Sequence, residues 1–398
     1  MVRSQWVGYR LGLLLGWAIL SGLGTARTLS RDAGWIIRVG LERQAFGTLI
    51  WVKSMNGNLR WVDPDTGQTL METPAEVLWQ VRFEGGNLCA VAQGTRVSAR
   101  RLVAQPVGSA QLAVGTQPNA LKPYRGTLEW VRRDGKLLTL NWIRLDDYLK
   151  AVLPMEMPPN FPMEALKAQA VASRTFTIRR LNRYRQWGYD LCDHTPCQLY
   201  GGIEAERPST NQAVEATAGQ VLYYNGQVLE AVYSGHCGGH PAPIELVMRG
   251  TLPLEPLKGV PDTNDKGQPF CALAPNREWR LLLTKETLQK AFPQVGAVRH
   301  LTIEEQAPSG YVVRLRLEGE KATITLTGAE FRAQLGTTVI RSQRFTLISL
   351  SDGWQVKGHG SGHGAGLCQW GANGRARAGQ TYTEILQAYY PGATLGNW

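Results

Sequence analysis

The chain has 398 residues, of which 43% are hydrophobic and 19% are charged. This length and composition exclude a disordered chain and a minimal one-core domain, so we expect a globular protein of two lobes. Its 43 Lys and Arg against 32 Asp and Glu give a formal charge of +11, which attracts polyanions. Nucleic acid, an anionic membrane and the cell wall are all negatively charged partners that such a protein would attract. The absence of a helix-turn-helix, an RNA-binding aromatic signature or a long basic run disfavours nucleic acid.

The N-terminus has the features of an export signal. Arg3 and Arg10 flank a short basic leader, and an apolar run over 11–20 is followed by small residues that end at Ala26. The run is shorter than the roughly 20 residues that span a bilayer, which favours a signal peptide over 1–26 rather than an uncleaved membrane anchor. We therefore expect the protein in the periplasm, in the cell wall or on the outer face of the cytoplasmic membrane.

Short apolar runs broken by Gly and Asn fill residues 34–141. The runs 127–131 and 136–140 flank Asp134-Gly135, and a second pair flanks Asn225-Gly226. Both patterns predict β-hairpins, because Gly tolerates positive φ. Residues 34–141 gather no titratable cluster, so we predict a β-rich lobe that serves as scaffold or wall-binding surface.

Residues 142–398 are predicted to form a mixed core. Apolar residues at helical spacing predict a helix that Pro154 stops, and a second helix with Pro162 in its first turn from near Asn160 to about Arg185. Glu156 then lies in a linker that prolines stiffen. The glycine-rich stretch 358–372 lets the backbone approach a ligand and is interpreted as lining a site. The predicted fold class is α+β, with two helices around the Glu-Met-Pro motif and a groove between the lobes.

Several ordered motifs resemble the SpoIID/LytB family, the stage II sporulation protein D type of peptidoglycan enzyme. The core motifs are Leu153-Pro-Met-Glu-Met-Pro158 and Pro162-Met-Glu-Ala-Leu-Lys-Ala-Gln-Ala-Val-Ala-Ser-Arg-Thr175. The other matching blocks are Cys197-Gln-Leu-Tyr-Gly201, Tyr233-Ser-Gly-His-Cys-Gly-Gly239, Gly362-His-Gly-Ala-Gly-Leu-Cys-Gln-Trp-Gly-Ala372 and Tyr389-Tyr-Pro-Gly392. The resemblance implies a lytic transglycosylase that cleaves the MurNAc–GlcNAc linkages of glycan strands stripped of stem peptides. It also implies 1,6-anhydroMurNAc ends and a catalytic role for Glu156.

The chemistry of a single glutamate agrees with that implication. A carboxyl of raised pKa can protonate the leaving oxygen and, as carboxylate, take the proton of the muramic 6-hydroxyl. Hydrolysis usually needs two carboxylates about 5 to 9.5 Å apart. Met155 and Met157 are apolar neighbours expected to raise the pKa of Glu156. Without the resemblance, a solvated loop glutamate is the better interpretation. Glu164 is expected only to complement the dipole of the second helix.

Other residues of the matching motifs are candidates for holding the glycan. Gln169 and Arg174 could equally be structural, whereas His359 is expected to be a solvated histidine. The substrate-binding candidates are Gln169, Arg174, Gln198, Tyr200, Ser234, His363, Gln369 and Trp370.

The cysteines allow three interpretations: a structural zinc site, a local disulfide or buried thiols. The candidate zinc ligands are Cys192, His194, Cys197 and Cys237. Zinc-binding members of the family have His-Cys-Gln where this chain has Pro196-Cys-Gln198, so His194 would have to replace the missing imidazole. Cys368 stands where the family often has Ser. The expected reaction requires no cofactor, and any zinc would be structural.

Two alternative functions remain. One is a non-catalytic wall-binding protein that stimulates an N-acetylmuramoyl-L-alanine amidase, as the LytB name suggests. The other is a zinc-dependent hydrolase. The expected partners are peptidoglycan glycan strands and a cell-wall amidase, with membrane attachment only if the leader is an anchor.

Overall fold

The computed structural model describes residues 34–275 and 277–398. The predicted signal peptide or anchor at residues 1–26 lies outside these ranges. Within them, no helix combines the length and apolar character needed to cross a membrane.

Strands dominate the described chain up to residue 144. They are β1 Ile36–Gly40, β2 Phe46–Gly47, β3 Ile50–Asn56, β4 Leu59–Val62, β5 Thr69–Thr73, β6 Trp79–Glu84, β7 Asn87–Ala92, β8 Thr95–Ala99, β9 Val103–Pro106, β10 Gln111–Gly115, β11 Lys122–Tyr124, β12 Thr127–Arg133 and β13 Lys136–Arg144. One sheet has the order β1-β13-β12-β9-β4-β5, with β2 paired to β13 and the later strand Leu191–Cys192 parallel to β1. Another has the order β11-β10-β3-β6-β7-β8. Trp61 contacts Trp79 and Trp130 at ring-centroid distances of 5.3 and 5.7 Å, and all three are buried.

Helices and strands are interspersed after residue 144. They are α1 Leu145–Glu156, α2 Met163–Arg179, β14 Leu191–Cys192, α3 Pro208–Ala216, β15 Gln220–Tyr224, β16 Gln227–Val228, β17 Tyr233–Ser234, α4 Ile244–Val247, β18 Glu278–Thr284, α5 Lys285–Ala291, β19 Val298–Gln306, β20 Val312–Gly319, β21 Thr323–Thr327, α6 Gly328–Leu335, β22 Phe345–Leu350, β23 Gly353–His359, β24 Leu367–Cys368, α7 Gln369–Arg377, α8 Tyr382–Tyr389 and β25 Thr394–Asn397. Short 3₁₀ helices lie at Arg185–Trp187, Ile203–Ala205, Glu255–Leu257, Phe270–Leu273 and Pro293–Val295. The α+β prediction is confirmed.

Both predicted hairpins are present. Asp134 and Gly135 have φ values of 51° and 75°, and they join β12 to β13 in antiparallel register. Asn225 and Gly226 likewise have positive φ and join β15 to β16. Positive φ at both central residues is the type I′ geometry whose twist matches the flanking strands.

Helix α1 buries the predicted apolar face but ends later than predicted. It continues through Pro154 to Glu156. Proline removes one N–H, yet the N–H of Met157 still donates to the Leu153 carbonyl (3.0 Å), and the N–H of Gly201 donates to the Ala151 carbonyl (3.2 Å). These bonds satisfy carbonyls of the last turns. The prediction that Glu156 lies in a linker is therefore wrong, since Glu156 is the last residue of α1.

Helix α2 lies at the centre of this part of the fold. It starts at Met163, after Pro162 at the N-cap position, and ends at Arg179 rather than near Arg185. Its residues 168–178 are all buried, around the whole circumference, which is the pattern of a helix enclosed by other elements. It packs against α1, α3, α7, α8 and β15.

Two hydrophobic cores are present in the described residues. The larger includes residues from Ile37 to Ala393 and contains α1 and α2. The smaller lies within residues 279–356, among the sheets β18-β23-β22 and β19-β20-β21. The predicted domain boundary after residue 141 remains a prediction, and β13 crosses that position.

Arg174→Met should destabilise the fold. The buried Arg174 guanidinium donates to Asp146 (2.9 Å) and to the Val214 carbonyl (3.1 Å). Methionine fills a similar space without these donors, so we expect a loss of about 1.5–3 kcal/mol in the free energy of unfolding, measured by urea denaturation. Arg179→Met is the control, because that side chain on the same helix is 48% exposed. Equal losses in the two variants would contradict a stabilising role for the Arg174 contacts.

Candidate active site

Glu156 lines a cleft of about 430 Å³. The walls come from the end of α1, the C-terminal half of α2, the loop after β14, β17 and the glycine-rich C-terminal motif. Residues contributed by these elements include Glu156, Phe176, Arg180, Cys197, Leu199, Tyr233 and His363. Of the described residues that line this cleft, Glu156 alone carries a carboxyl group.

The Glu156 carboxyl is half-buried and, within residues 34–275 and 277–398, is held by one backbone hydrogen bond. The N–H of Leu199 donates to its Oε1 at 3.0 Å. Burial raises the pKa of Glu156, and the Leu199 bond offsets only part of that rise. The protonated carboxyl therefore persists to higher pH than in an exposed glutamate, as a proton donor requires.

The apolar surroundings of Glu156 differ from those expected. Met157 is buried, but Met155 is 46% exposed. Apolar lining instead comes from Phe176, Val232 and Met248. The pKa of Glu156 is thus raised, as expected, but residues distant in sequence contribute to the burial that raises it.

A disulfide between Cys192 and Cys197 adjoins the cleft, with Cα atoms 5.7 Å apart. This separation suits a disulfide, and bonded sulfurs are not the thiolates that bind zinc. His194 Nδ1 lies 3.3 Å from Asp193 Oδ1, whereas Cys237 belongs to a separate cluster with Cys271 and Cys368. The prediction that Cys192, His194, Cys197 and Cys237 share one metal site is therefore corrected.

Gln198 and Tyr200 lie behind the cleft and hold the segment that carries the Leu199 N–H. The Gln198 side chain accepts a hydrogen bond from Thr177 (2.6 Å) and donates to the Tyr233 hydroxyl (2.9 Å). The Tyr200 hydroxyl donates to Asn141 at 2.8 Å. Both side chains are buried, so their contacts fix the backbone donor that faces Glu156.

The remaining candidates occupy varied positions. Gln169 is buried in α2 and donates to Ser173 at 3.0 Å, while its Oε1 has no hydrogen-bond partner among the described residues. Ser234 Oγ is likewise buried and without such a partner there. Gln369 is buried at the start of α7, and Trp370 packs against Phe161 with ring centroids 4.9 Å apart. Their roles in substrate binding remain predictions.

His363 lines the same cleft as Glu156. Its Nε2 lies 2.8 Å from the Tyr233 carbonyl, and its Nδ1 accepts the Ala365 N–H at 3.1 Å. The carbonyl partner places the proton on Nε2, and burial lowers the pKa of His363 to about 4. The imidazole is therefore neutral near pH 7. Gly366 permits the adjacent turn, since its φ is +69° and a Cβ would lie 1.9 Å from the Val232 carbonyl oxygen.

The sequence reasoning missed Phe176, Tyr233, Arg180 and Arg183 as cleft residues. Arg180 lies over the Phe176 ring at 4.1 Å and donates to Glu230, while Arg183 donates to the Pro196 carbonyl at 2.8 Å. Phe176 and Arg180 are four residues apart, a spacing that places side chains on one helix face. That spacing, and the presence of Tyr233 in a motif that matches the family, could have predicted Phe176, Arg180 and Tyr233 as cleft residues.

Glu156→Gln should stabilise the protein at neutral pH. Below about pH 4.5, the ordinary value, folded and unfolded chains both hold the proton. As pH rises through that value, the unfolded chain ionises first, so wild type loses stability until the higher folded pKa is passed. Glutamine does not ionise and can still accept the Leu199 N–H. Urea midpoints measured across this pH range should show a gain that is absent in acid and present at neutrality.

Glu164→Gln, in the adjacent motif, is the matched control. Burial raises the pKa of Glu164, but hydrogen bonds from Lys167 (2.8 Å) and the Tyr382 N–H (2.7 Å) outweigh it and lower the pKa. This variant should lose stability at neutral pH and match wild type in acid. A stability change of the same sign in both variants would contradict the assigned environments.

Comparisons of sequence match the region that builds this cleft. The profile of the SpoIID family, described as Stage II sporulation protein, matches residues 133–224, which include α1 and α2. A profile described as a domain of unknown function (DUF8618) matches residues 276–366, the region of the smaller core.

Full-length relatives extend the match. An uncharacterized protein of Brachyspira hyodysenteriae is 33% identical over 279 residues, which cover 68% of this chain and 72% of the relative. Stage II sporulation protein D of Bacillus subtilis is 30% identical over 268 residues, 64% of this chain and 74% of that protein. The Amidase enhancer of Bacillus subtilis is 30% identical over 302 residues, 63% of this chain but 40% of that protein. The chain therefore belongs to the SpoIID/LytB family, and its role is related to the cell wall.

Proposed function

We propose that this protein is a lytic transglycosylase that cleaves the MurNAc–GlcNAc linkages of peptidoglycan strands and leaves 1,6-anhydroMurNAc ends. One observation carries the proposal: the half-buried Glu156, whose pKa is raised, alone supplies a carboxyl among the described residues of its cleft. The predicted export signal at residues 1–26 is consistent with a substrate in the wall.

Glu156 performs both proton transfers in the proposed reaction. The protonated carboxyl donates its proton to the glycosidic oxygen, and the C1–O bond breaks with its electron pair on the leaving sugar. The muramic 6-hydroxyl then attacks C1, and the Glu156 carboxylate takes the hydroxyl proton. The carboxyl returns to its starting state, and no water is consumed. Retaining or inverting hydrolysis would usually place a second carboxylate about 5 to 9.5 Å away.

The charge of the cleft favours glycan without stem peptides. Removal of the peptide leaves a free carboxylate on the lactyl group of MurNAc. Arg180 and Arg183 line the cleft. Arg180 pairs with Glu230, whereas the exposed Arg183 donates to the neutral Pro196 carbonyl. Arg183 is therefore the cation best suited to a lactyl carboxylate.

Glu156→Gln should reduce turnover at least about 100-fold, because glutamine cannot supply the proton. The substrate is amidase-treated peptidoglycan, and 1,6-anhydro products are counted by mass spectrometry. Binding to insoluble glycan should be retained, since the amide preserves the shape of the carboxyl. Glu164→Gln should keep near wild-type turnover. Wild type that forms no 1,6-anhydro ends, or an undiminished Glu156→Gln variant, would refute the proposal.

The relative named Amidase enhancer favours a second candidate, a non-catalytic protein that stimulates an N-acetylmuramoyl-L-alanine amidase. The two candidates separate when a purified amidase acts on intact peptidoglycan with each variant present. A stimulator should enhance peptide release equally as wild type and as Glu156→Gln, with no anhydro sugar formed. A transglycosylase should form anhydro ends without the amidase on pre-stripped glycan.

A further inference from the structure

Three thiols and one carboxyl group converge where β24 ends and α7 begins. Ligand atoms of Cys237, Asp262, Cys271 and Cys368 all lie within 4.8 Å of one another, and all four residues are buried. They come from separate segments of the chain. The parallel pairing of β17 with β24 places Ser234 opposite Cys368, which brings Cys237 to the same place.

The separations fit a tetrahedral ion. Zinc binds sulfur at about 2.3 Å and carboxylate oxygen at about 2.0–2.2 Å, so tetrahedral ligands lie about 3.5–3.8 Å from one another. Cys237 Sγ lies 3.7 Å from Asp262 Oδ2. The three cysteines are free, in contrast to the bonded Cys192 and Cys197.

Neighbouring groups donate hydrogen bonds to the Cys368 sulfur and to the Asp262 carboxylate. Cys368 Sγ accepts the N–H groups of Cys237 (3.3 Å) and Gly371 (3.2 Å). Asp262 is oriented by Arg375 Nε (2.9 Å) and by the Tyr389 hydroxyl (2.8 Å). Outer hydrogen bonds of this kind orient metal ligands. A Cβ on Gly371 would lie 2.3 Å from Asp262 Oδ2, so backbone closes over the cluster.

Charge identifies the class of ligand. Cysteine and aspartate bind a metal as thiolate and carboxylate, so an ion bound here would face four negative charges, of which Arg375 offsets one in the same buried region. A divalent cation would compensate most of the remaining buried charge. Thiolate ligands select zinc over magnesium or calcium. A site whose four ligands are all buried is of the closed, structural type.

We propose that Cys237, Cys271, Cys368 and Asp262 bind one structural zinc ion. The ion joins the segment after β17, the loop that contains residues 262–271 and the start of α7. It thereby supports the cleft wall formed by Tyr233 and His363 without taking part in proton transfer. This site is distinct from the cysteine loop beside Glu156, and it does not depend on the proposed reaction.

Metal analysis of the full-length chain, purified from zinc-supplemented cells, tests the site. Wild type should contain about one zinc per chain. Cys271→Ser should bind zinc at least about 10-fold more weakly in competition with a chelator. Cys89→Ser is the matched control, since Cys89 is also a buried free cysteine but lies in β7 outside the cluster. It should keep wild-type zinc content.

Cobalt substitution of wild type covers the case in which Cys271→Ser does not fold. Tetrahedral thiolate ligation should give intense sulfur-to-cobalt charge-transfer absorption. Wild type that binds neither zinc nor thiolate-ligated cobalt would overturn the proposal. Mass spectrometry after thiol blocking would then tell whether the three cysteines are free or two of them form a disulfide, and either result leaves the proposal overturned. Zinc retained at full affinity by a folded Cys271→Ser variant would overturn it as well.

Discussion

The geometry of the cleft depends on the Glu156 carboxyl group, which is partly removed from water and, among the described residues, is anchored by one backbone donor. A glutamate surrounded by several donors would be a stable anion and a poor acid. Glu156 receives the Leu199 N–H, and burial still raises its pKa. The fold maintains this balance through buried side chains behind the cleft, where Gln198 connects Thr177 to Tyr233.

Glu156 and Glu164 show how position decides the chemistry of identical side chains. They lie eight residues apart in adjacent motifs, yet the pKa of Glu156 is raised and that of Glu164 is lowered. Glu156 ends α1 and lines the cleft, whereas Glu164 lies in the first turn of α2 and bonds Lys167 and the Tyr382 N–H. An acid at a helix N-terminus is stabilised as an anion. Only the first environment suits proton donation.

Patterns among neighbouring residues predicted the helix α1 and both hairpins correctly. The apolar spacing of α1 and the hairpins at Asp134-Gly135 and Asn225-Gly226 required only neighbouring residues, and all three are present. The rule that proline ends a helix failed at Pro154, since α1 continues to Glu156, and bonds from Gly201 and Met157 satisfy carbonyls of its last turns. The set of zinc ligands predicted from sequence grouped Cys237 with Cys192, His194 and Cys197, and it differs from the cluster that the structure brings together. Cys237 meets Cys368 across 131 residues of sequence through β17 and β24, and sequence spacing does not reveal such a contact.

In the proposed reaction, the one carboxyl group of Glu156 serves both proton transfers without water. The most direct measurement is digestion of stripped glycan in H₂¹⁸O, followed by mass spectrometry of the new muramic ends. The 6-hydroxyl supplies the attacking oxygen in the proposed reaction, so the products should be 1,6-anhydro sugars without ¹⁸O. Reducing muramic ends in excess of those in an undigested control, which corrects for exchange of hemiacetal oxygen with H₂¹⁸O, would show that water attacks C1, and they would contradict the assignment of both steps to Glu156.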